Sequence, residues 1–321
     1  MKDFRKQLTK TLKKHKPSPN HVAILFIPLL LGMIYTLARE VNTSLKKQIE
    51  QNRIEQFISP GAIAPLPLVK VPYNPIISAD AAIIIDDASK VVIYEKNAHF
   101  RFSMASTTKI MTALIGIEYY KDNDMLAVKR DRVEGAAVGM KKGDIFYFDD
   151  LLYGMLLPSG NDAAFAIADN YPGGVPQFVK RMNEVALSLH LYDTHFSDPA
   201  GLDDAGNYTT SYNLALLSSY SLKNKSLARI FATKKKVIAN VDGTNEYEIY
   251  NLNKLLGFEG VNGVKTGFTQ GAGGVLATSK VENGHTFIII VMKSEDRFFD
   301  TENLLRIVNN NITFFNPGAG K

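Results

Sequence analysis

The sequence predicts an α+β fold: an antiparallel five-stranded sheet flanked by helices, with an all-helical region inserted into it. Three observations predict it. Two strand-like runs, residues 81–85 and 91–95, flank the turn Asp86-Asp87-Ala88-Ser89-Lys90 and read as a hairpin. Three more runs come late, at residues 261–266, 274–279 and 286–292, and Phe287-Ile288-Ile289-Ile290-Val291 is apolar without a break. Such a run suits a central strand covered on both faces. Between the early pair and the late three lies a largely helical stretch, residues 102–227, which sets helices against a sheet of non-local strands.

At the N-terminus, residues 1–20 hold seven Lys or Arg against one Asp, so they carry +6 of a net +5 and the rest of the chain sums to −1. The basic balance thus describes a cytoplasmic tail, and no nucleic-acid surface is expected. Residues 22–38 are apolar throughout, at the short end of what spans a bilayer. The lysines before them put the N-terminus in the cytoplasm and the rest of the chain outside. A cleaved signal peptide over residues 21–39 is the competing expectation, and both readings export the remainder of the chain. Val41, Leu45, Ile49, Ile54 and Ile58 recur at near-helical spacing as a solvated stalk. Pro60, Pro65, Pro67, Pro72 and Pro75 then give an extended spacer, so residues 40–78 separate the span from a domain at 79–316. Within that domain, residues 237–241 and 246–250 flank Asp242-Gly243 as a second hairpin. Residues 301–315 read as a closing helix, with Leu304, Leu305, Val308 and Ile312 on one side.

Chemistry concentrates at three short motifs. Ser106 and Lys109 lie three residues apart, and Lys109 is the only charge between Phe102 and Ile117. On a helix those positions share a face, so hydroxyl and amine can meet. A lysine held among apolar groups loses its preference for the charged form and becomes a base beside a nucleophile. The plainer alternative is a buried stem whose ammonium reaches water. Ser159-Gly160-Asn161 stands in a turn before a helix-like run, and Lys265-Thr266-Gly267 at the end of a strand-like one. Taken singly these are an ordinary helix start and strand end. In this order they match the S-x-x-K, S-D-N, K-T-G signature of penicillin-binding proteins and class A β-lactamases, with Gly160 in place of Asp. There is no cysteine, which removes thiol chemistry and disulfides. The six histidines form no metal-ligand spacing, and no G-x-S-x-G elbow, phosphate loop or dinucleotide fingerprint occurs.

The wider sequence resembles the D-alanyl-D-alanine carboxypeptidases, the low-molecular-mass penicillin-binding proteins. The helix Ala105-Ser106-Thr107-Thr108-Lys109-Ile110-Met111-Thr112-Ala113 is similar to their serine-bearing helix. Phe196-Ser197-Asp198-Pro199-Ala200-Gly201-Leu202-Asp203 resembles their F-x-N-P-x-G-L-D segment, with Asp198 where Asn is usual. Gly263 to Thr269 followed by Ala272-Gly273 resembles their K-T-G-x-T-x-x-A-G run, and Asp296-Arg297-Phe298 their late arginine segment. Asn213 stands where the family usually has Asp. The resemblance spans residues 79–316 and implies a β-lactamase/transpeptidase-like fold with the site in the cleft between sheet and helices. Many members carry a C-terminal β-rich domain and a terminal anchor; this sequence ends at Lys321, and the N-terminal span is expected to replace that anchor.

The resemblance implies acyl transfer through an ester on Ser106. Lys109 takes the serine proton, Ser159 relays a proton to the leaving amine, and Asn161 orients the substrate amide or Lys109. Lys265 supplies positive potential that keeps Lys109 neutral, while Thr266 and Arg297 receive the terminal carboxylate. The backbone N–H groups of Ser106 and Phe268 form the oxyanion hole, with Gly267 between Thr266 and Phe268. No cofactor and no metal are expected. The expected partners are peptidoglycan stem peptides ending in D-Ala-D-Ala, β-lactams as acylating inhibitors, and the membrane through the N-terminal helix. Three other readings stay open: a D,D-endopeptidase of peptidoglycan cross-links, a class A β-lactamase with Glu184 as the nearest candidate for its water-activating acid, and a non-catalytic penicillin-sensing or wall-binding module.

Overall fold

A computed structural model describes residues 64–202 and 205–316. The expected tail, apolar span and stalk, and the first part of the spacer, lie outside these residues. Among the described residues no helix is long and apolar enough to cross a membrane.

Five antiparallel strands build the main sheet: β1 (Ala81–Asp86), β2 (Val92–Lys96), β3 (Val261–Thr269), β4 (Gly273–Glu282) and β5 (His285–Ser294). Their order is β3-β4-β5-β1-β2, so the early hairpin joins the late strands where β5 pairs with β1. Side chains alternate with period two across that seam. Phe287, Ile289 and Val291 join Ala82 and Ile84 in one core. Ile288, Ile290 and Met292 join Ile83 and Ile85 in the other, larger core. The unbroken apolar run is therefore the middle strand, buried on both faces as expected.

The helices are α1 (Lys109–Tyr119), α2 (Phe148–Leu156), α3 (Asn161–Asn170), α4 (Gly174–Ser188), α5 (Ser211–Leu222), α6 (Lys225–Phe231) and α7 (Arg297–Val308). The first six share the larger core with one sheet face. Leu304, Leu305, Ile307 and Val308 of α7 cover the other face. The Asp296 carboxylate caps α7, accepting the N–H groups of Phe298 and Phe299 at 3.1 Å each. Asp300, one turn in, accepts from the N–H groups of Ser78 and Ala79 and the hydroxyls of Ser78 and Ser294. It ties the start of the domain to its last helix.

The structure corrects two expectations. The inserted region is not all helical: Phe102–Ser103 pairs with Tyr208–Thr209, and Met125–Ala127 with Ile145–Tyr147. Strands of two or three residues are too short for an alternation to register. The closing helix ends at Val308, and Ile312–Phe315 is instead a strand paired with Leu66–Val69, inside the segment read as spacer. Asn309-Asn310-Asn311 breaks the helix, with Asn310 in the left-handed region at φ 51°. The β-branched and aromatic residues beyond it suit a pleated strand. The hairpin around Asp242-Gly243 forms as expected, over Lys235–Ala239 and Glu246–Tyr250.

Candidate active site

Ser106 lies in a single 3-10 turn, Ala105–Thr108, that runs directly into α1. Ala105 holds φ 45°, a left-handed conformation that costs a non-glycine residue about 1–3 kcal/mol. Thr107 fixes the turn through its N–H and hydroxyl, both donated to the Met104 carbonyl at 3.2 and 2.6 Å. One turn on, the Lys109 Nζ donates to the Ser106 Oγ at 2.9 Å and to the Ala200 carbonyl at 2.7 Å. Lys109 is wholly buried. Burial pushes its amine down to about 7, against the opposing pull of Asp198 and then Asp162.

The Ala200 carbonyl is held by a loop that the sequence reading did not assign to the site. The Asp198 carboxylate accepts the N–H groups of Ala200 and Gly201, both at 2.7 Å, and the Asn207 amide at 2.5 Å. Each of these partners is a donor, so a carboxylate satisfies them all where an asparagine would offer one NH₂ of its own. Gly201 sits at φ 76°, and a Cβ there would fall 1.9 Å from the Ala105 carbonyl oxygen. The loop thus presses against the serine turn as only glycine permits.

The middle motif forms a second wall. Ser159 is buried at φ 66°, and its hydroxyl has no partner among the described residues. Asn161 opens α3, donating its side-chain amide to the Glu134 carbonyl at 2.5 Å and its N–H to the Ala136 carbonyl at 2.7 Å. Its Oδ1 is left without a partner among the described residues. A Cβ on residue 160 would lie 2.7 Å from the Gly154 carbonyl oxygen and 2.8 Å from Asp162 Oδ1, which explains Gly160 in the Asp position of the motif. Asp162 was not foreseen: its carboxylate accepts the N–H groups of Val138, Gly139 and Met140 and fixes the loop facing Asn161. The same group pulls the Lys109 pKa upward, and α3, which Asn161 opens, packs against α1.

Strand β3, at the sheet edge, is the third wall. A Cβ on Gly267 would meet the Ser106 N–H nitrogen and the Ala105 methyl, both at 3.1 Å, so the glycine lets the strand abut the turn. Lys265 and Thr266 are buried, and the Lys265 Nζ donates to the Thr266 carbonyl at 3.0 Å. Burial drives Lys265 well below the ordinary lysine range, and repulsion from Lys109 and Arg297 adds to it. For Lys109 burial is the largest lowering cause. The Phe268 ring is exposed. The Arg297 Cβ lies 3.2 Å from where a Cβ of Gly274 would be, the residue paired with Phe268. Its guanidinium sits over the rings of Phe298 at 5.0 Å and Phe268 at 5.9 Å. Burial lowers the Arg297 pKa, and its Nε has no partner among the described residues.

Buried polar atoms are nearly always hydrogen-bonded, and three of the few orphans among the described residues are Ser159 Oγ, Asn161 Oδ1 and Arg297 Nε. All three belong to residues singled out from the sequence. Asn213 lies away from them; its amide donates to the Thr194 hydroxyl at 3.2 Å, so the asparagine keeps a structural bond. Glu184 lies on α4, ion-paired to Arg181 at 3.4 Å.

The chain is similar to several known proteins. Residues 69–296 match the family model of peptidase S11, D-alanyl-D-alanine carboxypeptidase. The D-alanyl-D-alanine carboxypeptidase DacF of Bacillus subtilis is 32% identical over 66% of this chain and 57% of its own length. DacD of Escherichia coli is 33% identical over 75% of this chain and 66% of its own length. The chain thus spans little more than half of the first and about two thirds of the second. Among solved structures, the Streptomyces K15 DD-transpeptidase aligns with a TM-score of 0.70 at 30% identity, covering 74% of this chain and 98% of its own. Penicillin-binding protein D2 of Listeria monocytogenes, in its ampicillin-bound form, gives 0.65 at 29% identity, over 73% and 99%. With the family model covering most of the sequence, the chain belongs to the D-alanyl-D-alanine carboxypeptidase family, peptidase S11.

Proposed function

We propose that the chain is a serine-type D-Ala-D-Ala carboxypeptidase that acts on peptidoglycan stem peptides through an acyl-enzyme on Ser106. One observation carries the reading: the wholly buried Lys109 amine, brought to about 7, stands 2.9 Å from the Ser106 Oγ. At neutral pH about half of such amines are unprotonated and can accept the serine proton. Ser106 Oγ attacks the carbonyl between the two D-alanines, and its proton passes to Lys109. The C–N bond then breaks, and the terminal D-alanine leaves with a proton delivered by way of Ser159. Water hydrolyses the ester in a second step.

The remaining residues serve binding. β3 is an edge strand, so its outer backbone groups can pair with an extended peptide. Asn161 offers its unpartnered Oδ1 to the substrate amide. The terminal carboxylate meets Lys265, the Thr266 hydroxyl and the Arg297 guanidinium, which suits a planar anion. The N–H groups of Ser106 and Phe268 receive the oxyanion. β-Lactams acylate Ser106 by the same attack, in keeping with the ampicillin-bound Listeria neighbour. Glu184, ion-paired on α4, does not favour a β-lactamase. Residues 22–38 support a membrane anchor with the catalytic domain outside the cytoplasm.

The test is labelling with a fluorescent penicillin together with release of free D-alanine from a stem pentapeptide. The wild type gives both and Ser106→Ala neither. Label without D-alanine release would favour a sensor, and cleavage confined to cross-linked dimers an endopeptidase.

A further inference from the structure

Beside the catalytic cleft, residues 128–142 border a half-open cavity of about 570 Å³ that neither Ser106, Lys109, Lys265 nor Arg297 lines. Five cations line it, Lys129, Arg130, Arg132, Lys141 and Lys142, against the carboxylates of Asp131, Asp162 and Asp169. Arg130 is committed to Asp169, bonded at 2.7 and 2.9 Å, and Lys142 to Asp131 at 2.9 Å. Asp162 turns its carboxylate to backbone N–H groups. The other three cations meet no carboxylate among the described residues. Lys129 donates to the Asp169 carbonyl at 2.9 Å, Lys141 to the Asn245 side-chain oxygen at 2.8 Å, and Arg132 has no partner among the described residues. Unpaired charge of one sign around a concavity focuses the field on whatever enters. The same loop borders the active site, since the carbonyls of Glu134 and Ala136 accept from Asn161. Asp162, the next residue, lines the cavity.

We propose that this cavity is a subsite for an acidic group, a carboxylate or a phosphate, carried by the same wall strand whose D-Ala-D-Ala end is cut at Ser106. It rests on the peptidase reading above. Three cations that meet no carboxylate among the described residues suit an oxyanion, and Arg132 can bind one through two N–H groups. A strand passing Asn161 meets this cavity next, which gives the enzyme a grip on substrate beyond the dipeptide it cleaves.

The experiment compares the full chain with a Lys129→Ala/Arg132→Ala double variant. One substrate is a short acylated peptide ending in D-Ala-D-Ala without acidic groups; the other is a muropeptide bearing free carboxylates. For the acidic substrate the variant raises KM about ten-fold with kcat unchanged, as two lost charge contacts predict. The short peptide and penicillin acylation stay as in the wild type. Inorganic phosphate competes with the acidic substrate in the wild type alone. A phosphorylated wall fragment and its dephosphorylated form identify the source: an effect lost on dephosphorylation assigns a phosphate, and one that persists a carboxylate. Equal KM changes for both substrates, or none for the acidic one, overturn the subsite. A wild type that penicillin does not acylate overturns the peptidase reading instead.

Discussion

Replacing Lys109 with methionine should abolish acylation and yet stabilise the protein at neutral pH. The folded-state pKa of about 7 lies below the ordinary 10.5, so between those values the unfolded chain binds the extra proton. Stability therefore rises with pH across that window. At pH 7 the buried amine costs roughly 4 kcal/mol, and at pH 10 roughly 1 kcal/mol. Methionine has similar reach and no charge, so it removes that cost. It also strands the Ala200 carbonyl, now bonded at 2.7 Å to the amine. An orphaned buried acceptor costs about 1–3 kcal/mol. Lys109→Met should then be about 1–3 kcal/mol more stable than the wild type at pH 7, and equal or less stable at pH 10. Relief of repulsion on Lys265 acts in the same direction at neutral pH. Urea unfolding of both proteins at the two pH values, followed by circular dichroism, measures the crossover. A variant less stable than the wild type at pH 7, or a difference that does not change with pH, refutes the reasoning.

The same contacts have other consequences. Asp198 pulls the Lys109 pKa upward, so Asp198→Asn should shift the rising limb of the acylation pH profile to lower pH; a shift to higher pH contradicts the assignment. In Gly201→Ala the new methyl overlaps the Ala105 carbonyl, so thermal unfolding should drop by about 6–12 °C, from roughly 3 kcal/mol or more lost. An unchanged midpoint would show that the loop moves aside without cost. Phe268→Ala removes one ring from the Arg297 guanidinium, which should raise KM for a carboxylate-ended peptide about two- to five-fold with kcat and stability unchanged. Phe268→Tyr should restore the wild-type KM.

Much of the sheet was legible because its strands are long and apolar, and β5 announces its position by having no polar face. The serine and lysine pair was legible because a helix period dictates that their side chains meet. What stayed hidden depends on backbone. Ala200 enters the site through its carbonyl, which no side chain advertises. Gly160, Gly201, Gly267 and Gly274 matter for the atoms they leave out, and only the fold shows what stands in that space. The Phe196 to Asp203 run pointed to the Asp198 loop by its resemblance to the family, but not to the carbonyl it presents. The strand Ile312–Phe315 was missed because Leu304, Leu305, Val308 and Ile312 keep helical spacing across the asparagine break.

The claim that a neutral Lys109 amine activates Ser106 is tested most directly by the pH dependence of the second-order rate of Ser106 acylation by a β-lactam. The rate should rise through an apparent pKa of about 7 in the wild type, and the limb should vanish with Lys109→Ala. A wild-type rate that is flat from pH 5 to 9, on the order of a hundred-fold range in neutral amine, would contradict it.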